Sequence, residues 1–287
     1  MKKLLCVLSA SLLLASCSDD GIAQIPVTSA ETAVVTDART VAETETDVVT
    51  DAQTATESET TVVTESVAPE IGECVPDVFM YHLVMEEPYS VYDGLFVRPT
   101  DFAAHLDSVV ESGAVSLFAD EYMLTAKPSV IITFDDGYED NYTTAFPMLK
   151  ERGLKATVFL ITDLIGTDGY LSEAQIREMA GSGLVRFGCH TKSHADLTYL
   201  SEAQIRTQLE EANARIAEIV GYEVRCLAYP AGGHNDAVLG VASEMFDFAY
   251  TTKSPASVSA DNMLAIPRWG IYRSYGAGYV GRILGVD

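Results

Sequence analysis

Two adjacent carboxylates, Asp135 and Asp136, close the run Val130-Ile131-Ile132-Thr133-Phe134 and are followed at once by Gly137. A short apolar run ended by a glycine reads as a buried strand opening into a loop. Neighbouring side chains at such a bend point in different directions, so one carboxylate can bind a metal while the other faces a water molecule. Downstream, His190-Thr191-Lys192-Ser193-His194 puts two histidines four residues apart, on one side of a helical turn or tight loop. Two imidazoles and a carboxylate make a ligand set of the catalytic zinc type, which leaves a coordination position open. The other carboxylate is then the general base for that water. The chemistry these parts serve is metal-assisted hydrolysis.

The same residues resemble the polysaccharide deacetylase family, carbohydrate esterase family four. The family's T-F-D-D-G motif is matched at 133–137 and its H-[ST]-x-x-H motif at 190–194. Its third motif, an aromatic and a proline at a strand end, is matched by Ala228-Tyr229-Pro230-Ala231-Gly232. The similarity runs from about Val78 to Ile271. It implies that Asp136, His190 and His194 hold a divalent cation and that Asp135 is the base. It also implies that the backbone N–H of Tyr229 helps to hold the tetrahedral oxyanion. The Tyr229 side chain is either a sugar platform or a core residue. Zn²⁺ is the first choice of ion, and Co²⁺, Ni²⁺ or Mn²⁺ fit the same ligands.

The chain departs from the family pattern in two places. The arginine that orients the base is usually found shortly before the aromatic–proline pair; here Arg225 lies four residues before Tyr229, too far back. Arg268, in Ile266-Pro267-Arg268-Trp269, is the better candidate to pair with Asp135, the alternative being a surface arginine. The late histidine that serves as general acid is also missing, because no histidine follows His234. His82 ends Phe79-Met80-Tyr81-His82, and this Tyr-His element resembles a branch of the family in which an N-terminal histidine takes that role. His234 follows Gly232-Gly233 on an expected loop, a poorer platform for a positioned acid. His105 falls on an apolar helix face with Phe102, Leu106 and Val109 and is read as structural. Asp140 and Asn141 are expected to cap the next helix, and Glu139 to be solvated.

The elements that must position these residues alternate along the chain. Strands are predicted at Val78–His82, Val115–Phe118, Ser129–Phe134, Ala156–Ile161, Val185–Gly188, Cys226–Tyr229, Phe248–Thr251 and Leu264–Tyr272. Helices are predicted near Asp101–Ser112, Tyr142–Arg152, Glu173–Ala180, Glu202–Val220 and Asp236–Met245. Ser172 with Gln175, and Ser201 with Gln204, form capping boxes. Alternating strand and helix implies a parallel sheet with right-handed crossovers. With the resemblance, the expected fold is α/β, a distorted and incomplete (β/α) barrel of about seven parallel strands. Its catalytic groups stand at the C-terminal strand ends, in one domain over 74–287.

Ahead of that domain the sequence reads as a secretion and tethering apparatus. Lys2 and Lys3 precede an apolar stretch from Leu4 to Ala15, too short for a permanent span, so 1–16 reads as a signal peptide. Leu14-Ala15-Ser16-Cys17 resembles a lipobox, which would make Cys17 the lipidated first residue. Residues 17–73 are rich in Thr, Val, Ala and acids, with Val-Val-Thr units starting at 34, 48 and 62. Lacking aromatics, this stretch is expected to be a solvated linker supplying about half of the net charge of −24. Such acidity argues against nucleic acid as a partner. Of the five cysteines, Cys74, Cys189 and Cys226 remain in the expected domain. Cys189 and Cys226 read as small buried hydrophobes, because a strand neighbour of His190 points away from it.

The expected protein is therefore a monomeric, extracytoplasmic, lipid-anchored, metal-dependent deacetylase of an acetylated glycan. N-acetylglucosamine units of a β-linked polymer or cell-wall glycan are the first choice of substrate. The rival readings are an O-acetyl esterase acting on xylan-like polymers and an inactive carbohydrate-binding surface protein.

Overall fold

The computed structural model describes residues 71–87, 94–255 and 262–286. The expected signal peptide, Cys17 and the expected linker up to residue 70 lie outside the described residues. Strand β1 (Ile71–Cys74) runs from the last residues read as linker into the first of the expected domain, where Cys74 pairs with Thr125 in a backbone bridge.

The framework comes from short, mostly buried apolar runs. Strands β2 (Asp77–Tyr81), β3 (Leu83–Val84), β4 (Phe96–Val97), β5 (Val115–Leu117), β6 (Ser129–Phe134), β7 (Ala156–Leu160) and β8 (Val185–Cys189) come first. They are followed by β9 (Cys226–Ala228), β10 (Phe248–Tyr250) and β11 (Trp269–Gly270). One sheet has the order β10-β9-β8-β7-β6-β2-β11, with β5 added to β6, and every pairing in it is parallel. Seven strands along that path make the expected incomplete barrel. The sheet is loosest between β8 and β9, which share the single register pair Cys189–Leu227.

Both faces of these strands are buried, and their residues alternate between two apolar clusters. Phe79, Tyr81, Val130, Ile132, Phe134, Val158, Leu160, Phe187, Cys189, Leu227 and Tyr229 belong to the larger cluster. Helices α1 (Pro99–Ser112), α2 (Phe146–Arg152), α3 (Glu173–Gly181), α4 (Glu202–Val220) and α5 (Asp236–Ala242) pack on that side. The last helix is α6 (Tyr279–Leu284). Val78, Ile131, Phe159, Cys226, Ala228, Tyr250 and Ile266 make the smaller cluster, inside the curve of the sheet. Both capping boxes form as expected, opening α3 and α4.

Two of the expected elements take a different form. The stretch Leu264–Tyr272 is not one strand. Ile266 bridges to Tyr250 of β10, whereas Trp269 and Gly270 pair with β2. Pro267 stands between them, and with no N–H it cannot extend the ladder. One short segment thus spans from one edge of the sheet to the other and carries Arg268 across the gap. The helix expected from Tyr142 instead begins with a π-helical turn, Asn141–Ala145, before α2. Asp140 and Asn141 do not cap it. The Asp140 carboxylate accepts from the Val84 N–H, and the Asn141 amide donates to the His82 carbonyl at 2.9 Å. Both side chains tie the loop after β6 to the chain leaving β2, and the wide turn leaves room for this.

Candidate active site

Thr133 and Asp135 continue the inward alternation of β6, and both are buried. Asp135 meets the guanidinium of Arg268 in a two-pronged ion pair, Nη1–Oδ1 and Nη2–Oδ2 both at 2.7 Å. Arg268 has no solvent exposure and Asp135 only 2%. The rest of the guanidinium is satisfied as well. Nε donates to the Thr251 carbonyl at 2.9 Å, and Nη1 also donates to Thr133 Oγ1 at 3.1 Å. The rings of Phe159 and Tyr250 flank it at 5.7 and 6.0 Å. Burial alone would raise the Asp135 carboxyl, but Arg268 outweighs it, with help from His190 and His82, and holds the group well below the usual carboxylate range. Asp135 is therefore a fixed, ionised carboxylate whose oxygens each keep a lone pair for a further donor. Arg225 is elsewhere, exposed and paired with Asp247.

Asp136 lies beside this pair and faces the two histidines. Its Oδ1 is 3.3 Å from His190 Nε2 and 3.4 Å from His194 Nε2. One ligand atom from each of the three residues falls within 4.8 Å of the others. Asp136 Oδ1 is buried and has no hydrogen-bond partner. An orphaned carboxylate oxygen facing two imidazole nitrogens is what a divalent cation would satisfy, so these residues fit one. His190 is prepared for this role: its Nδ1 donates to the Ala228 carbonyl at 2.7 Å, which leaves the Nε2 lone pair free. Burial opposes charge on His190, yet Asp136 and Asp135 outweigh it and raise its basicity. At His194, burial and the neighbouring His190 lower it.

The backbone around these groups is bent against its ordinary preference. Among the described residues, four non-glycine residues have positive φ: Asp136 (74°), Thr191 (66°), His194 (59°) and Ala231 (52°). All four lie in the three motifs, two of them are proposed ligands, and such residues each cost on the order of 1–3 kcal/mol unless the surroundings impose them. Gly137 follows at φ +79°, and a Cβ there would stand 2.6 Å from Leu160 Cδ2, so any other residue would be strained in its backbone and would have to displace that side chain.

His82 stands just beyond β2, half-buried, and its Nδ1 has no hydrogen-bond partner. Burial is the main influence lowering its basicity; Arg268 and His190 add to this, while Asp135 and Asp136 act in the opposite sense. The structure thus gathers Asp135, Asp136, His190, His194, Arg268 and His82 in one place. His105 is a core residue, bonded through Nε2 to the Gly276 carbonyl at 2.9 Å and facing the Tyr81 hydroxyl. His234 lies over the Tyr229 ring at 5.4 Å, its Nδ1 3.0 Å from the Gly232 carbonyl. Cys189 points to the helix side, where burial pushes its thiol up to about 12.

Tyr229 takes the second of its two expected side-chain roles and departs from expectation in its backbone. Its side chain belongs to the outer cluster and its hydroxyl donates to the Leu264 carbonyl at 3.0 Å, so it is a core residue and not a sugar platform. Its backbone N–H already donates to the Tyr250 carbonyl at 3.0 Å, continuing the β9–β10 ladder, so it is not free to receive an oxyanion. Sequence reasoning missed the parts played by Thr133, Thr251, Phe159 and Tyr250, which seat Arg268, and by Asn141 and Asp140, which hold the His82 carbonyl and the Val84 N–H. Apart from Thr133, which opens the Asp-Asp motif, none of these lies in a motif. The inward parity of Thr133 two residues before Asp135 is the one local signal that could have found any of them.

Known proteins share this arrangement. The family model for polysaccharide deacetylase matches residues 124–246. The Bacillus subtilis (strain 168) protein YxkH, itself assigned only provisionally to the polysaccharide deacetylases, is 33% identical over 199 residues. The match covers 67% of this chain and 69% of that protein. A Staphylococcus aureus (strain MSSA476) poly-beta-1,6-N-acetyl-D-glucosamine N-deacetylase is 30% identical over 156 residues, half of this chain and 54% of that enzyme. Among solved structures, the Bacillus cereus polysaccharide deacetylase BC0361 superposes with a TM-score of 0.67 at 27% identity, covering 74% of this chain and 69% of that one. Taken with the Asp-Asp, His-His and strand-end motifs in order around one site, these likenesses establish that the chain belongs to the polysaccharide deacetylase family.

Proposed function

We propose that this protein is a metal-dependent N-deacetylase acting on β-linked N-acetylglucosamine units of a polysaccharide. The observation that carries the reading is the pairing of two sites. A buried carboxylate locked by Arg268 stands next to an Asp–His–His cluster whose carboxylate oxygen lacks a partner. A pure binding module has no need of an ionised carboxylate held in that way beside a cation site. The S. aureus relative's name supports the N-acetylglucosamine choice.

Asp136, His190 and His194 would hold the divalent cation, with Zn²⁺ as the first choice. Bound there, it would supply Lewis acidity toward both an attacking water and the acetyl carbonyl. Asp135 accepts the proton from the water, and Arg268 keeps that carboxylate ionised and aimed. His82 delivers a proton to the leaving nitrogen, because an amine anion is a very poor leaving group. Its lowered basicity makes protonated His82 a strong donor. Cell-surface attachment through lipidated Cys17 and a monomeric state complete the proposal; they rest on the sequence.

Acetate release tests this reading. Chelator-treated and metal-reloaded protein should be compared on β-linked N-acetylglucosamine oligomers and on O-acetylated xylan. Metal-dependent release from the former supports it. Release from xylan alone would make the protein an O-acetyl esterase. No release from either would favour a surface carbohydrate-binding protein.

A further inference from the structure

Next to the catalytic loop lies a cavity of about 500 Å³ that none of the proposed steps uses. Two short segments build it, one continuing directly from Asp135-Asp136-Gly137 and the other following β7. They are zipped together: Glu139 N–H donates to the Gly169 carbonyl at 2.9 Å, Leu171 N–H to the Gly137 carbonyl at 3.0 Å, and Tyr138 bridges to Tyr170. The rings of Tyr138 and Tyr170 stack at 5.0 Å and 27°, and Leu83 and Met85 pack against them in a small cluster separate from the core. These walls suit the apolar face of a pyranose ring.

The polar part of the lining is one-sided. Glu139, which also accepts from Gln175, Asp140, which also accepts from Val84, and Asp168 contribute carboxylates, and among the described residues no basic one lines the cavity. Hydroxyl recognition alone would be served by carboxylates, amides or bases in any mixture. Three carboxylates around two electron-rich rings favour a cation instead. Burial pushes the Asp140 carboxyl up to about 7, and a cation beside it would favour its charged form. Hydrolysis of the acetamide adds water across the C–N bond, giving acetate and an amine that takes up a proton in neutral solution. The product unit is thus a ring with apolar faces and one positive charge.

We infer that this cavity is a subsite for a de-N-acetylated, cationic glucosamine unit, adjacent in the same polymer to the unit under attack. The inference rests on the deacetylase reading above. It makes the enzyme prefer partly deacetylated chains, with each product unit helping to hold the chain for the next reaction.

Calorimetric titration of metal-loaded Asp135→Asn protein, which should not turn substrate over, tests it with β-linked glucosamine tetramer and its fully N-acetylated counterpart. The amine tetramer should bind at least about tenfold more tightly at low salt, and the preference should shrink as salt is added. Asp168→Asn and Glu139→Gln should each lower amine affinity roughly 3–10-fold and leave acetylated affinity unchanged, while Tyr170→Ala should weaken both. Asp168 and Glu139 are exposed, so this pair decides the matter even if Asp140→Asn fails to fold after losing the Val84 contact. Equal or tighter binding of the acetylated tetramer, or a preference that survives both substitutions, would overturn the subsite. Acetate release is read separately on the wild type. Release without amine preference sinks the subsite alone, and amine preference without release sinks only the deacetylase reading.

Discussion

Replacing Arg268 by Met keeps most of the side-chain volume between Phe159 and Tyr250 but leaves Asp135 as a buried, unpaired charge. Breaking a buried pair from one side costs about 3–5 kcal/mol. At roughly 2–4 °C per kcal/mol for a domain of this size, the melting temperature should fall by about 6–20 °C near pH 7.5. The pH dependence separates this cause from loss of side-chain contacts. In the wild type the folded-state pKa of Asp135 is depressed, so its contribution is present above the ordinary carboxylate value and is lost only as pH falls through the lower, folded one. Without Arg268, burial is left to raise the folded pKa. The variant then binds a proton on folding, and its penalty shrinks as the pH approaches 4. Comparing Tm of both proteins from pH 7.5 to 4.5 cancels the titrations they share, and the gap should close by about half or more. Metal content should stay near the wild-type level, since Arg268 does not touch Asp136, whereas kcat should fall with the loss of an oriented base. A gap that is the same at every pH, or a Tm within 2 °C of wild type at pH 7.5, would refute the reasoning.

His190→Ala or His194→Ala should lower metal content and acetate release together, read by elemental analysis and by assay, because each removes a ligand. Asp135→Asn should retain the metal and lose about 10²–10⁴-fold in kcat, the usual contribution of a general base; loss of the metal instead would exchange the roles of the two aspartates. His82→Ala should keep fold and metal while losing kcat, and the alkaline limb of the pH–rate profile, set where protonated His82 is lost, should vanish. Near-normal turnover there with collapse in His234→Ala would move the acid to His234. Gly137→Ala, placed at φ +79° against Leu160, should lower Tm by several degrees and weaken metal binding through Asp136, checked by melting and by metal titration.

Most of the proposed catalytic set was legible because its residue types and local spacing are themselves the chemistry. Asp135-Asp136 and His190–His194 are local signatures that need no fold to be recognised. Arg268 was legible only by elimination, since 133 residues separate it from Asp135, and only the sheet-spanning segment brings them together. The seats around Arg268 were not legible because they come from separate strands that only the fold brings together, and the Asp140 and Asn141 anchors because they act on backbone groups of the distant chain after β2.

What the sequence lacked most was the phase of each strand, and phase accounts for its main error. Side chains alternate, so one inward residue fixes the rest of a strand. Val78 faces the inner cluster, which puts Met80 and His82 in phase with it and sends Tyr81 outward; Ile131 does the same for Thr133 and Asp135. Cys226 and Ala228 face inward, so Tyr229 must face the helices, and its N–H then has a ladder partner in β10. The same alternation would send Asp136 outward, away from the histidines. The left-handed turn at Asp136, made feasible by Gly137 directly after it, breaks the alternation and brings the second carboxylate back beside the first. Backbone strain at that one residue is thus what places adjacent aspartates in one site, facing the different partners that the proposed roles require.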